Sequence, residues 1–247
     1  MKPCAFINHP LSDHIKGCKE ILDSFLRKNK GYTVIAAKRL KIASRGKLSL
    51  KPEEVEELIN LSVILHDIGK AHNYFQENFD ENCGCRDKDA GFPYHELLSA
   101  AMCYKHIQTW TAENAHQKKL LLTLSIINHH HAFKDTLKKV FYIDQSSSAL
   151  SLLLKIVKKG LYVGNLQETL KAYGINIEDL SLTANDVENF ITWMRKSQER
   201  PNEWQKLYVL IMTPLIIADN LDAGKSRPTH HYPPSRTSFL NELKEAI

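Results

Sequence analysis

Apolar residues recur at helical spacing along almost the whole chain. Ile15, Cys18, Ile21, Leu22, Phe25 and Leu26 make one stripe, and Ser12 ahead of them reads as its N-cap. Pro52-Glu53-Glu54 opens a second helix, with proline in the first turn and acids that complement the helix dipole. Its inward stripe is Val55, Ile59, Ser62, Val63 and His66. A third helix opens at Pro93, with His95, Leu98, Ser99 and Met102 on one side, and a fourth runs from about 117 to 130. Gly160 stops a helix over about 149–159, Gly174 follows a shorter one, and segments at 186–196 and 201–221 complete the set. Period-two alternation is confined at most to 33–36, and no repeat or low-complexity linker divides the chain. The pattern predicts an all-α fold: one globular helical domain spanning 1–247. Three stretches read as irregular loops: 31–51, basic and without an acid; 77–91, acidic; and 224–236, with Lys225, Arg227 and Arg236 among prolines and histidines.

Polar residues interrupt these apolar stripes at particular places. Leu65-His66-Asp67-Ile68-Gly69-Lys70 ends an apolar helix, where a buried polar side chain is costly unless paired or coordinated. His66 lies on the inward stripe, Asp67 stands beside it at the fraying end, and Gly69 lets the backbone turn away. Lys70 adds a cation suited to a phosphate or a developing negative charge. Taken alone, such a His-Asp pair fits a satisfied core histidine. His14, His95, the run His129-His130-His131 and Asp219 repeat the placement at the ends or edges of other core stripes. Together they predict a buried metal centre.

Composition sharpens this reading. Histidine numbers 12, more than Gly, Pro, Phe or Tyr, and five histidines are absorbed by the centre. His9, His106 and His116 read as surface or helix-end residues, His72 as a neighbour that could orient a water, and His230 and His231 as part of a loop between prolines. Five cysteines without a CxxC pair read as free thiols in a reducing compartment, with a zinc or redox role for Cys83 and Cys85 as the sharper alternative. No apolar run reaches the ~20 residues of a bilayer span, and the amino terminus has no long apolar region. The expectation is a cytoplasmic chain with no membrane partner. The net charge of +5 permits nucleic-acid contact without establishing it, and Lys38, Arg39, Lys41, Arg45 and Lys47 are the candidates for holding a DNA backbone. Gly224-Lys225-Ser226 resembles the end of a phosphate-binding loop, but Asp219 stands where that loop requires glycine.

His14, then His66-Asp67, then Asp219 resembles the H…HD…D pattern of the HD phosphohydrolase superfamily. Phe75-Gln76, His95-Glu96 with Ser99-Ala100, and the paired histidines narrow the resemblance to the HD nuclease of type I CRISPR interference, over about 9–224. In that family the nuclease is fused to a DNA helicase or stands as a separate short protein. The resemblance implies two adjacent divalent metals, one on His14, His66, Asp67 and Asp219, the second on Asp67, His95, His129 and His130. His130 with His131 is the alternative pair, and Asp222 the alternative to Asp219; the first two histidines are preferred because they directly follow the helix's apolar run. Asp67 and Lys70 would be the catalytic residues. Five imidazoles favour Mn²⁺, Co²⁺, Ni²⁺, Fe²⁺ or Zn²⁺, with Mg²⁺ still open. The implied activity is hydrolysis of phosphodiester bonds in single-stranded DNA, endonucleolytic and with 3′–5′ exonuclease action left open. The implied partners are a separate helicase subunit and an RNA-guided surveillance complex. A phosphohydrolase acting on small nucleotides and a non-catalytic, metal-stabilised docking subunit are the alternatives.

Overall fold

The computed structural model describes residues 2–86, 91–111, 113–130, 148–199 and 203–226. His131, His230, His231, Arg227 and Arg236 lie outside the described residues. The chain opens with a small antiparallel pair, β1 (Cys4–Phe6) and β2 (His9–Pro10). There follow α1 (Leu11–Lys28), α2 (Tyr32–Ala43) and α3 (Pro52–Leu65). A 3-10 turn (Ile68–Ala71) and the short α4 (Asn73–Gln76) lead to α5 (His95–His106) and α6 (Ala115–Ile127). The carboxy-terminal half holds α7 (Ser148–Lys158), α8 (Leu166–Ala172), α9 (Ala184–Gln198) and α10 (Val209–Ser226). The fold is helical, as the periodicity predicts.

The core forms where the apolar stripes meet. Helix α10 packs on α1, α3 and α6, while α5 packs on α6 and on the 3-10 turn. The Glu203–Lys225 stretch has the length and composition of a bilayer span, contrary to the expectation that no such stretch exists. Its apolar residues Ile211, Leu215, Ala218 and Leu221 are buried in the core. Pro214 lies inside α10 and offers no N–H to the carbonyl of Leu210; the Tyr32 hydroxyl donates to that oxygen instead at 2.8 Å. A foreign donor thus keeps the helix continuous on its way to Asp219.

Several local expectations are corrected. Ser12 is not the N-cap of α1: Pro10 holds that position and Ser12 is buried within the first turn. The basic stretch at 31–51 is largely the helix α2, which buries Ala36, Ala37 and Leu40 against its neighbours and exposes Lys38, Arg39 and Lys41. Residues 33–36 are therefore helical. Cys4 and Cys83 form a disulfide across 79 residues, so these two are not free thiols; Cys18 and Cys103 are. The described part of the acidic loop packs on the amino-terminal strands: Asn8 N–H, just past β1, donates to the Cys83 carbonyl, and Phe79 joins Cys4 and Cys83 in a small buried cluster.

Candidate metal centre

Four helix ends and one helix face deliver the centre. His66 caps the C-terminus of α3 and Asp67 follows it, while His95 begins α5 and His129-His130 follow α6. His14 lies in the first turns of α1, and Asp219 on the buried side of α10. Asp67 sits at the middle. Its Oδ2 faces His14 Nε2 at 3.3 Å and His66 Nε2 at 3.6 Å, while its Oδ1 faces His95 Nε2 at 3.1 Å and His129 Nε2 at 3.6 Å. Asp219 Oδ1 completes the first group, 3.4 Å from His14 Nε2 and 3.8 Å from His66 Nε2. His130 Nε2 joins the second, 3.0 Å from His95 Nε2.

The rings are held in one orientation. His66, His95 and His129 each give Nδ1–H to the carbonyl three residues back, at Val63, Phe92 and Ile126, over 2.6–2.8 Å. Every Nε2 lone pair is thereby turned inward, the arrangement in which a metal-ligating histidine is fixed by its other nitrogen. In this tautomer His66 Nε2 and His95 Nε2 carry lone pairs, and they face His14 Nε2 at 3.3 Å and His130 Nε2 at 3.0 Å. Asp67 Oδ1 and His129 Nε2 are buried without a hydrogen-bond partner. Bonds of ~2.1 Å to a common ion put neighbouring ligand atoms ~3.0–3.4 Å apart, close to the spacing observed within each group. The donor set therefore fits divalent metal ions.

Electrostatics point the same way. Burial opposes ionisation of Asp67, but the Lys70 ammonium, 2.5 Å from Oδ2, together with His66, His129 and His14 holds the carboxyl well below its usual range. Asp219 is likewise well below it, burial being outweighed by His14 and His66. Burial keeps His66 low, and burial with the neighbouring His129 and His95 pushes His130 down to about 2. Burial also opposes protonation of His14, yet Cys18, Asp219, Asp222 and Asp67 raise it well above the ordinary value. A divalent ion held by these carboxylates would supply the positive charge that a proton on His14 supplies in its place. Burial pushes the Cys18 thiol up to about 11.

The predicted residues thus fall into place unequally. His14, His66, Asp67, His95, His129, His130 and Asp219 converge, with both His129 and His130 within the second group. Lys70 lies against Asp67 and over the Phe92 ring at 5.2 Å. Asp222 is buried three residues past Asp219 but meets His14 on its other nitrogen, at 2.8 Å. His9 is not a bland surface residue: its Nε2 meets the same Asp222 oxygen at 3.1 Å. His72 is buried on the carbonyl of Gly69. Lys38, Arg39, Lys41, Arg45 and Lys47 are exposed on α2 and the turn after it, outside the centre.

Gln76 and Ser99 are supporting groups that the sequence left without a role, and Gly69 is one whose role differs from the expected one. Gln76 accepts from Cys4 N–H at 2.7 Å and donates to the carbonyls of Cys4 and Lys70, so it fixes the turn that carries Lys70. Gly69 does not serve to turn the backbone away. A Cβ there would come within 2.4 Å of the His95 carbonyl and 2.9 Å of Ser99 Oγ, to which Gly69 N–H donates at 2.8 Å. Glycine is needed because α5 approaches the His-Asp turn this closely.

Comparison with known proteins places the arrangement. The profile of the Cas3 HD domain matches residues 5–219. A CRISPR-associated endonuclease Cas3-HD from Saccharolobus solfataricus is 29% identical over 99% of this chain and 96% of its own. Among solved structures, the CRISPR-associated Cas3 HD domain protein from Methanocaldococcus jannaschii superposes with a TM-score of 0.56 at 21% identity, covering 88% of this chain and 98% of that one. The second likeness speaks for the fold.

Proposed function

This chain belongs to the Cas3 HD-domain family, whose members are metal-dependent nucleases of CRISPR systems, and from that premise we propose that it cuts single-stranded DNA with two metal ions. The observation that carries the reading is the division of Asp67, one carboxylate oxygen toward each group of histidines. In this reading His14, His66, Asp67 and Asp219 hold one ion, and Asp67, His95, His129 and His130 hold the other. Divalent ions held so would supply Lewis-acid charge at the phosphate and acidify a water at neutral pH. The chain's own part is to keep the donors in place: backbone carbonyls aim the rings, and Gln76 and Ser99 fix the turn between them. Lys70 balances Asp67 and steadies negative charge on a phosphate brought to the centre. The imidazole-rich set favours Mn²⁺, Co²⁺ or Ni²⁺ over Mg²⁺. The exposed cations of α2 and its following turn are the proposed path of the DNA backbone. Unwinding of the duplex falls to a separate helicase subunit working with an RNA-guided complex.

Digestion of circular single-stranded DNA tests this. Wild-type protein with Mn²⁺ is expected to open the circle, faster than with Mg²⁺. EDTA is expected to stop the reaction, and Asp67→Ala to lower it by more than the ~100-fold that removing an outer-shell partner can cost. No cleavage by the wild type, or cleavage unchanged by Asp67→Ala, would overturn the proposal.

A further inference from the structure

His14 differs from His66, His95 and His129 in what holds it. The carbonyls of α1 are committed to the helix ladder, so its Nδ1 finds no free main-chain acceptor three residues back. Asp222 supplies one from α10, with Oδ2 at 2.8 Å. The same oxygen faces His9 Nε2 at 3.1 Å, and the His9 ring stacks on Phe6 at 4.6 Å. Behind the carboxylate lies Gly17, where a Cβ would fall 1.9 Å from Asp222 Oδ1. A missing side chain on α1, a histidine on β2 and an aromatic ring on β1 thus combine to seat one carboxylate.

Building on the metal reading above, we infer that Asp222, seated on Gly17 and steadied by His9, is a positioning residue that aims His14 Nε2 at the metal and tightens binding there. Asp222 is not itself a ligand of that ion, because it meets His14 on the ring nitrogen pointing away from Asp67. Nor do His9, His14 and Asp222 make a third metal site. A neutral imidazole has one lone pair, and that of His14 is turned to Asp67 and Asp219. A charged acceptor makes His14 a stronger donor than a ring held by a carbonyl, which is the usual effect of a carboxylate behind a metal-bound histidine.

Titration of the full chain with Mn²⁺, reading free Mn²⁺ by electron paramagnetic resonance, separates the roles. Asp222→Ala is expected to raise the Kd about 10–100-fold with the number of bound ions unchanged. Asp222→Asn keeps an acceptor but loses the charge, and His9→Ala loses the group that steadies it; both are expected to give smaller rises. Thermal unfolding without metal identifies a variant that has merely lost its fold, in which case the isosteric Asp222→Asn and the peripheral His9→Ala decide. An unchanged Kd in the folded variants would overturn the inference, and loss of one bound ion would overturn it by making Asp222 a ligand. A wild-type chain that binds no Mn²⁺ would remove the metal reading itself.

Discussion

On one side of Asp67 stand His14, His66 and Asp219; on the other stand His95, His129 and His130. The first side draws on helices α1 and α10 and on the end of α3, and both of its histidines are fully buried. It has a second carboxylate, and a third one braces it from behind through His14. The second side is built on a helix start and on the turn after α6, has among the described residues no ligand carboxylate beyond the shared one, carries Glu96 3.4 Å from His95 Nδ1, and ends in the partly exposed His130. The first side gathers the ligand carboxylates, and the second reaches toward the surface at His130. In the proposed reading, the inner side retains an ion and the outer side is where an ion and a phosphate exchange with solvent.

The sharpest way to break that contrast is to remove one imidazole from each side. His66→Ala should abolish binding of one Mn²⁺ and lower cleavage by more than ~100-fold, whereas His130→Ala should keep the inner ion and cost less, nearer ~10-fold. Equal losses would show that the two sides act as a single unit. A smaller effect is expected from Gly69→Ala, since the added methyl forces α5 and the His-Asp turn apart. Overpacking of this kind costs ~1–3 kcal/mol, read as lowered thermal stability, and it should weaken the outer ion more than the inner one. The smallest effect belongs to α2. Replacing Lys38 and Arg39 by alanine should leave Mn²⁺ binding unchanged while lowering the log–log salt slope of single-stranded DNA affinity by roughly 0.7 per lost contact. An unchanged slope would take α2 off the DNA path.

How legible all this is in the sequence depends on how local each cause is. The stripes of α1 and α3 announce themselves because one face of each is apolar and the other is not. Helix α2 hides its character: Val34, Ile35 and Ile42 are exposed among its cations, so the apolar residues do not mark a single face. The convergence of His14, His66, Asp67, His95 and Asp219 is readable because polar groups at the ends of core stripes must find partners. What separates Asp219 from Asp222 is not, since residues three apart share a helix face and only the ring of His14 tells which oxygen meets which nitrogen. The Cys4–Cys83 bond is equally hidden, because spacing places Cys83 beside Cys85 while the fold places it beside β1. The need for Gly17 and Gly69 arises from helices that meet only in three dimensions.

The amide of Gln76 has a consequence for where this protein can be cut. It grips both main-chain groups of Cys4, one residue ahead of the segment that the family profile matches, and the same side chain holds the turn of Lys70. At the other end the matched segment stops at Asp219, three residues short of the carboxylate that braces His14. A fragment trimmed to those borders would keep every residue of the centre and lose a handhold at each end. The working boundary of the domain is set by its supports, and these reach further along the chain than its ligands do.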